Sequence, residues 1–363
     1  MSGLEMDYVK NAFDTNWISP FGPNINEFEE NLGNYLGENS LVTALSTGTA
    51  AIHLSLILLD IGQGDEVICQ SKTFSASANP IVYLGATPIF VDSETDTWNM
   101  CPEQLLIAIK DRISKGKKPK AIIAVHLYGM PFKIDEISKI ADDYDIPIIE
   151  DSAEALGSTY KGRKCGTFGQ LSIFSFNGNK IITTSSGGAL ITNNKAFLDQ
   201  ARHLANQAKD DAIEYLHSEI GYNYRMSNVL AGIGIGQLKV IDERVKQRRY
   251  NFEFYKKALS DIKSISFQNA SENSNSNRWL TCILLESENT RDELRLTLEK
   301  HNIESKLLWK PLHQQPVFKD CPRYLKGVSD QLFEKGLCLP SGSSLTDEDL
   351  NRVTTIIKNY FII

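Results

Sequence analysis

Three short stretches of this chain carry side chains that could do chemistry together. In IPIIEDSAEALG (146–157) an apolar run ends in two carboxylates, Glu150 and Asp151. Such a run reads as a buried strand. In an open α/β sheet ligands bind beyond the carboxyl ends of strands, so Asp151 is expected to face a crevice. SIFSFNGNKIITTSSGGAL (172–190) sets Lys180 between a strand and a glycine-bearing turn. Where a lysine is partly buried in this way, desolvation disfavours the ammonium and frees an amine for imine chemistry. STGTAAIHL (46–54) puts small residues directly before an apolar helix, whose first backbone N–H groups and positive dipole end suit a phosphate.

Taken singly, each stretch has a plainer reading. Thr49 can be an ordinary N-cap, Asp151 can cap the next turn, and a loop lysine is usually solvated. The combination carries the weight. Pyridoxal phosphate needs a lysine for a Schiff base, an anionic partner for its pyridine nitrogen and a cradle for its phosphate. Lys180, Asp151, and Ser175 with the helix start at 48–50 supply all three.

Other chemistries lack their residues. No G-x-x-x-x-G-K-[ST], H-E-x-x-H or G-x-S-x-G occurs. Gly232, Gly234 and Gly236 in AGIGIGQL imitate a dinucleotide fingerprint, but they lie in a helical pattern with no strand before them, so close helix packing is expected. The six cysteines are scattered without a C-x-x-C pair, which favours reduced thiols over disulfides or zinc, and no metal site is expected. With 38 Lys and Arg against 45 Asp and Glu, the net charge of −7 argues against nucleic-acid and anionic-membrane partners. No secretory signal or apolar run of membrane-spanning length is seen, so a cytoplasmic protein is expected.

The elements that must position these groups are legible as a pattern. EVIC (66–69), PIFV (88–91), AIIAV (121–125), IPIIE (146–150), LSIFSF (171–176) and GGALIT (187–192) read as buried strands. Helical stretches begin near Thr49, Ser75, Pro102 and Lys133. The alternation predicts an α/β fold with a predominantly parallel sheet covered by helices on both faces. From Asn228 to Leu259 a long helical periodicity leads into a smaller α+β lobe. That lobe should hold a strand at 280–285, a helix at 291–301, a strand at 304–308 and a helix from Asp347 to about Tyr360. The expected division is a large domain over 1–240 and a small C-terminal domain over 241–363. QNASENSNSNR (268–278) reads as a loop by composition, and its abrupt end at Trp279 suggests that it does more than connect.

Taken together, LSTGTAAIHL, YLGATPIFVD, AVHLYG, IIEDSAEALGSTYKGRKCGTFG, SFNGNKIITTSSGGAL, GYNYRMSNVLAGIGIGQL, SNRWL, LLWKPLHQQPVF and CLPSG resemble the DegT/DnrJ/EryC1/StrS family of sugar aminotransferases. The resemblance runs along essentially the whole chain. Within that family the E-D-S-A-E-A-L-G, S-F-N-G-N-K and W-K-P-L-H forms are most similar to the UDP-4-keto-6-deoxy-GlcNAc C4-aminotransferases of the UDP-N-acetylbacillosamine pathway. The resemblance implies pyridoxal-phosphate fold type I, with a large seven-stranded-type, mostly parallel sheet. It implies Lys180 as the imine-forming lysine and Asp151 as the partner of the pyridine nitrogen. Phe74 matches the aromatic that stacks on the cofactor ring, Gly48, Thr49, Ala50 and Ser175 match the phosphate cradle, and Glu154 stands where relatives carry His or Gln.

The GYNYR segment resembles one that reaches a neighbouring subunit's phosphate, implicating Asn223 and Arg225 and a homodimer with shared active sites. Arg278, Trp279, Lys310 and His313 fall in motifs that resemble those handling the nucleotide-sugar, although Trp279 could equally be a core aromatic and His313 a structural histidine. Two departures are visible. Relatives carry a short leader ahead of Met-Ser-Gly, and Lys306 and Leu307 stand where relatives have Arg and Pro. The implied reaction moves an amino group from L-glutamate to the C4 ketone of a UDP-linked 4-keto-6-deoxy-N-acetylhexosamine. Two alternatives stay open: a GDP-4-keto-6-deoxymannose (perosamine-type) substrate, and a non-catalytic cofactor-binding regulator.

Overall fold

Short runs rich in Val, Ile and Leu, too apolar to tolerate water on either side, form the centre of the molecule. The computed structural model describes residues 1–362. In chain order the strands of the main sheet are β1 (Leu41–Leu45), β2 (Glu66–Gln70), β3 (Thr87–Val91), β4 (Ala121–Val125) and β5 (Ile148–Asp151). After a small hairpin, β6 (Thr159–Tyr160) and β7 (Arg163–Lys164), come β8 (Leu171–Ser175) and β9 (Gly188–Thr192). A second sheet is formed by β10 (Ser266–Phe267), β12 (Thr281–Leu284), β13 (Lys306–Leu307) and β15 (Gly336–Leu339), while β11 (Ser274–Asn275) joins the hairpin and β14 (Arg323–Tyr324) returns to the main sheet.

The main sheet runs β1-β9-β8-β5-β4-β2-β3-β14. All pairings from β8 to β14 are parallel, and β9 is antiparallel to both neighbours. It thus has the mostly parallel character expected, with the two-residue β14 as an eighth, edge strand supplied by the C-terminal third of the chain. Parallel strands aligned in this way bring the exits of β2, β4, β5 and β8 to one edge, where α/β sheets bind ligands.

Helices cover both faces: α1 (Glu5–Asp14), α2 (Pro23–Leu36), α3 (Gly48–Leu58), α4 (Asn79–Tyr83), α5 (Pro102–Ser114), α6 (Ile134–Asp143), α7 (Lys195–Ala205) and α8 (Asn228–Leu238). Alternate strand residues split between two cores. Val67, Cys69, Ile123 and Ile149 pack with Ile52 and Leu54 of α3 and Leu204 of α7. Their neighbours Ile68, Ile122 and Ile148 pack with Leu105 and Ile109 of α5 and Ile137 of α6. The period-2 side-chain alternation of a strand is what permits one strand to seal two layers.

Helix α8 carries the three spaced glycines, and the packing expectation holds there. A Cβ on Gly234 would lie 2.7 Å from the Phe28 ring of α2, and one on Gly236 would lie 2.9 Å from the Glu5 nitrogen of α1. The long periodicity from Asn228 is broken at 239–240, after which α9 (Ile241–Ala258) starts; with α10 (Glu288–Lys300), α11 (Val328–Lys335) and α12 (Asp347–Ile362) it accompanies the second sheet. One expectation needs correction, the helix from Ser75, and two strands went unread. LVTAL forms β1, the stretch from Ser75 yields only a 3₁₀ turn and the five-residue α4, and GLCL forms β15 at the middle of the second sheet. No described helix is long and apolar enough to cross a membrane.

Candidate active site

At the carboxyl edge of the main sheet lies a cleft of about 240 Å³, the kind of concave, mostly apolar site in which small molecules bind. Its lining includes Thr47, Gly48, Thr49, Phe74, Ser77, Asp151, Glu154, Ser175, Lys180 and Trp309. Thus the three sequence stretches that could do chemistry converge, although they are far apart in the chain.

Asp151 is the last residue of β5, and β5 is central, so its carboxylate is held at the cleft floor and is only 4% exposed. One oxygen accepts from Ser77 Oγ at 2.6 Å and the other from the Ala153 N–H at 3.2 Å. Among the described residues it has no cationic partner. An anion buried without a counter-charge is costly unless a ligand supplies one. Its neighbour Glu150 points to the opposite side of the strand and has a structural role. Burial pushes its carboxyl up, but His126 at 2.7 Å and the Gly166, Phe168 and Gly169 N–H groups outweigh this and hold it at about 2.

Lys180 leaves the turn after β8 and lies mostly buried, its Nζ 3.5 Å from Glu154 Oε1 and 4.4 Å from the centre of the Trp279 ring. Glu154 Oε2 accepts the Tyr128 N–H at 2.6 Å. Burial raises its pKa, against the lowering effects of Lys180 and the Tyr128 N–H.

Helix α3 begins where β1 ends. Its N-cap is Thr47, whose hydroxyl accepts the Ala50 N–H at 3.0 Å, so the expected cap at Thr49 shifts by two residues and Ala50 has no N–H to offer a ligand. The Gly48 and Thr49 N–H groups have no acceptor among the described residues, and they point along the positive end of an eleven-residue helix. Glycine is favoured at 48 because a Cβ would sit 3.0 Å from Ser175 Cβ and 3.3 Å from the Phe174 carbonyl oxygen. Helix start and Ser175 therefore form one wall. Phe74 stands at the mouth, half exposed, with its ring centre 5.3 Å from that of Trp309.

These features fit pyridoxal phosphate. The uncompensated Asp151 suits a protonated pyridine nitrogen, the free N–H pair with Ser175 suits a phosphate, and Lys180 presents a primary amine between them.

The other expected residues lie elsewhere. Trp279 is 2% exposed and packs behind Lys180 rather than lining the cleft. Arg278 turns away, its guanidinium 3.7 Å over the Phe252 ring, and burial lowers its pKa to about 10. Lys310 is exposed with its Nζ 5.7 Å from the Phe333 ring. His313 is buried, Nδ1 2.7 Å from Ser71 Oγ and Nε2 2.9 Å from Asp330, the structural alternative. Lys306 is exposed at the edge of the second sheet. Arg225 bridges to Leu45 and covers the Phe21 ring at 4.6 Å, while Asn223 is exposed outside the cleft.

Sequence reasoning missed Thr47, Ser77 and Trp309. Ser77 touches Asp151 across 74 positions, and nothing local in KTFSAS marks it. Thr47 was findable, since Ser46, Thr47 and Thr49 before an apolar run are all capping candidates.

Comparison with known proteins agrees with this geometry. The model of the DegT/DnrJ/EryC1/StrS aminotransferase family matches residues 1–358. EpsN of Bacillus subtilis (strain 168), whose name describes a pyridoxal phosphate-dependent aminotransferase, is 49% identical over 99% of this chain and 94% of its own. The GDP-perosamine synthase of Escherichia coli O157:H7 is 38% identical over 99% of this chain and 96% of its own. A crystal structure of a DegT DnrJ EryC1 StrS aminotransferase from Brucella abortus superimposes with a TM-score of 0.93 at 30% identity, covering 99% of this chain and 95% of that one.

Proposed function

This chain belongs to the DegT/DnrJ/EryC1/StrS aminotransferase family, and from that premise we propose that its cleft transfers an amino group from L-glutamate to the C4 ketone of a nucleotide-linked keto-sugar. The cofactor is pyridoxal phosphate. The observation that carries the reading is the convergence of Lys180, the uncompensated Asp151 and the open start of α3 on one cleft.

When bound, pyridoxal phosphate supplies an aldehyde that condenses with amines and a ring that draws electrons from the carbon next to the nitrogen. The chain supplies the rest. Asp151 would keep a proton on the pyridine nitrogen, and Ser77 and the Ala153 N–H fix the orientation of its carboxylate. Gly48, Thr49 and Ser175 would hold the phosphate, and Phe74 at the mouth would supply an aromatic surface for the ring. Lys180 Nζ removes the proton from the α-carbon of glutamate and later delivers one to C4 of the sugar, a general base and acid in turn. Glu154, at 3.5 Å, keeps that amine directed into the cleft.

For the sugar we propose a UDP-linked 4-keto-6-deoxy-N-acetylhexosamine, on the strength of the E-D-S-A-E-A-L-G and W-K-P-L-H forms. The second reading is GDP-4-keto-6-deoxymannose, favoured by the similarity to GDP-perosamine synthase. Turnover of the two ketosugar nucleotides, each with glutamate, separates them: amination of the GDP sugar alone overturns the first reading. Lys310, itself exposed and next in the chain to Trp309 of the cleft lining, is the residue we assign to the nucleotide-sugar.

We further propose a homodimer with shared sites. Ile213, Tyr215 and Ile220 project almost fully into solvent just before GYNYR, an arrangement that a second copy would cover. In that assembly Asn223 and Arg225 would face the partner's cleft. We also propose the division into a large domain over 1–240 and a small one over 241–363, a reading supported by the break at 239–240 between α8 and α9. Solution mass by light scattering tests the assembly, and a monomer at working concentration contradicts it.

A further inference from the structure

Trp279 was expected at the sugar, yet it lies in the wall behind Lys180, and the way it is held suggests a use. Its ring centre is 4.4 Å from Lys180 Nζ. Its indole N–H donates at 2.9 Å to the carbonyl of Asn179, the residue immediately before the lysine. One side chain therefore touches both ends of Lys180, the backbone at its root and the nitrogen at its tip.

The segment carrying Trp279 is itself fastened to the other group that meets Lys180. Asn277, fully buried, accepts the Trp279 N–H at 2.9 Å and donates at 2.9 Å to the Glu154 carbonyl and at 2.9 Å to the Leu156 carbonyl. Arg248 donates to the Trp279 carbonyl at 2.6 Å. The Trp279 ring also lies nearly parallel to that of Tyr128, centre to centre 6.5 Å, and the Tyr128 backbone N–H binds the Glu154 carboxylate. Ring and carboxylate are thus locked to one another, and both converge on the same nitrogen.

We propose that Trp279 is a positioning residue for Lys180: its ring face, through cation–π attraction and packing along the lysine stem, holds Nζ against Glu154 and aimed into the cleft. This rests on the transamination reading for what the amine does, but not for where it sits. A desolvated cation–π contact contributes about 1–2 kcal/mol, so loss of the ring should slow proton transfer by roughly five- to thirtyfold.

Three variants test it. Trp279→Leu removes the ring, Trp279→Phe keeps a ring face without the indole N–H, and fluorinated tryptophan inserted at 279 keeps shape while depleting the ring of negative charge. The expected result is a fall in the single-turnover rate of the glutamate half-reaction for Leu, with KM for glutamate nearly unchanged. Phe should recover most of it, and the rate should decline stepwise with fluorination. Independently of turnover, in cofactor-free protein an amine-reactive reagent read by peptide mass spectrometry should label Lys180 several-fold faster in Trp279→Leu than in wild type, with Trp279→Phe close to wild type.

Unchanged rate and labelling across the fluorinated series would overturn the proposal, even if Trp279→Leu fails to fold. Wild-type protein without any glutamate half-reaction, but with labelling that still follows the ring, refutes the transamination reading while leaving the positioning role standing.

Discussion

Lys72 offers a test of the energetics that is separate from catalysis. It follows β2, is fully buried, donates to the Trp309 carbonyl at 2.8 Å and lies 5.7 Å from the Phe333 ring. Burial lowers its pKa from 10.5 to about 7, with Cys338, Cys282, Asp330 and Asp92 opposing the shift. A cation whose folded-state pKa is depressed costs stability below that pKa, and the cost fades as pH rises toward the unfolded value. Between pH 7 and 10.5 the unfolded chain binds the proton and the folded chain does not, so stability climbs by about 1.4 kcal/mol per pH unit.

Lys72→Met keeps the length of the side chain and removes the titration. Losing the donor to Trp309 lowers stability by a constant amount, so the informative quantity is the difference between the two proteins as pH changes. From pH 7.0 to 8.5 wild type should gain on the order of 1–2 kcal/mol relative to Lys72→Met. Urea unfolding of cofactor-free protein, followed by circular dichroism, measures it. Parallel stability curves for the two proteins would refute the reasoning and mean that the ammonium is solvated or compensated.

Further outcomes follow from the contacts described. Ser77→Ala removes a hydrogen bond to a buried carboxylate, a change of about 1.5–3 kcal/mol, and should weaken cofactor binding at least tenfold by fluorescence titration; unchanged affinity would detach Ser77 from Asp151. Gly48→Ala forces a Cβ against Ser175 and should raise the cofactor's dissociation constant by roughly tenfold or more through crowding of about 1–3 kcal/mol. Gly234→Ala, pressed on Phe28 and distant from the cleft, should lower the melting temperature by several degrees yet leave kcat unchanged in protein that remains folded. Tyr215→Asp places a charge on the exposed apolar segment and should shift the assembly toward monomer in sedimentation velocity, leaving the melting temperature of the monomer unaltered.

Some of this molecule could be read along the chain and some could not, for identifiable reasons. The central strands were legible because burial on both faces makes them continuous apolar runs, and Lys180 with Asp151 because imine chemistry and a ring-nitrogen partner leave few residue choices. β15 was missed because GLCL is four residues long, begins with glycine and shows no alternation. The break after α8 falls in an unbroken helical periodicity, where tertiary packing overrides local preference.

The larger losses concern contacts across the chain. Ser77 meets Asp151, Lys72 meets Trp309 and Asn277 meets Glu154 over 74, 237 and 123 positions, and no local pattern encodes such meetings. Trp279 shows the same limit from the other side. Its type and neighbours marked it as functional, but only packing reveals that it faces the lysine's back rather than the cleft.

The central claim is that Lys180 and Asp151 perform transamination in this cleft. The direct measurement is a single-turnover reaction of the cofactor-loaded protein with L-glutamate, scoring 2-oxoglutarate release together with the change in cofactor absorbance, in wild type and Lys180→Ala. The account predicts one equivalent of 2-oxoglutarate per site for wild type, and none for Lys180→Ala within the same time. Release at the wild-type rate from Lys180→Ala, or none from wild type with the cofactor bound, would contradict it.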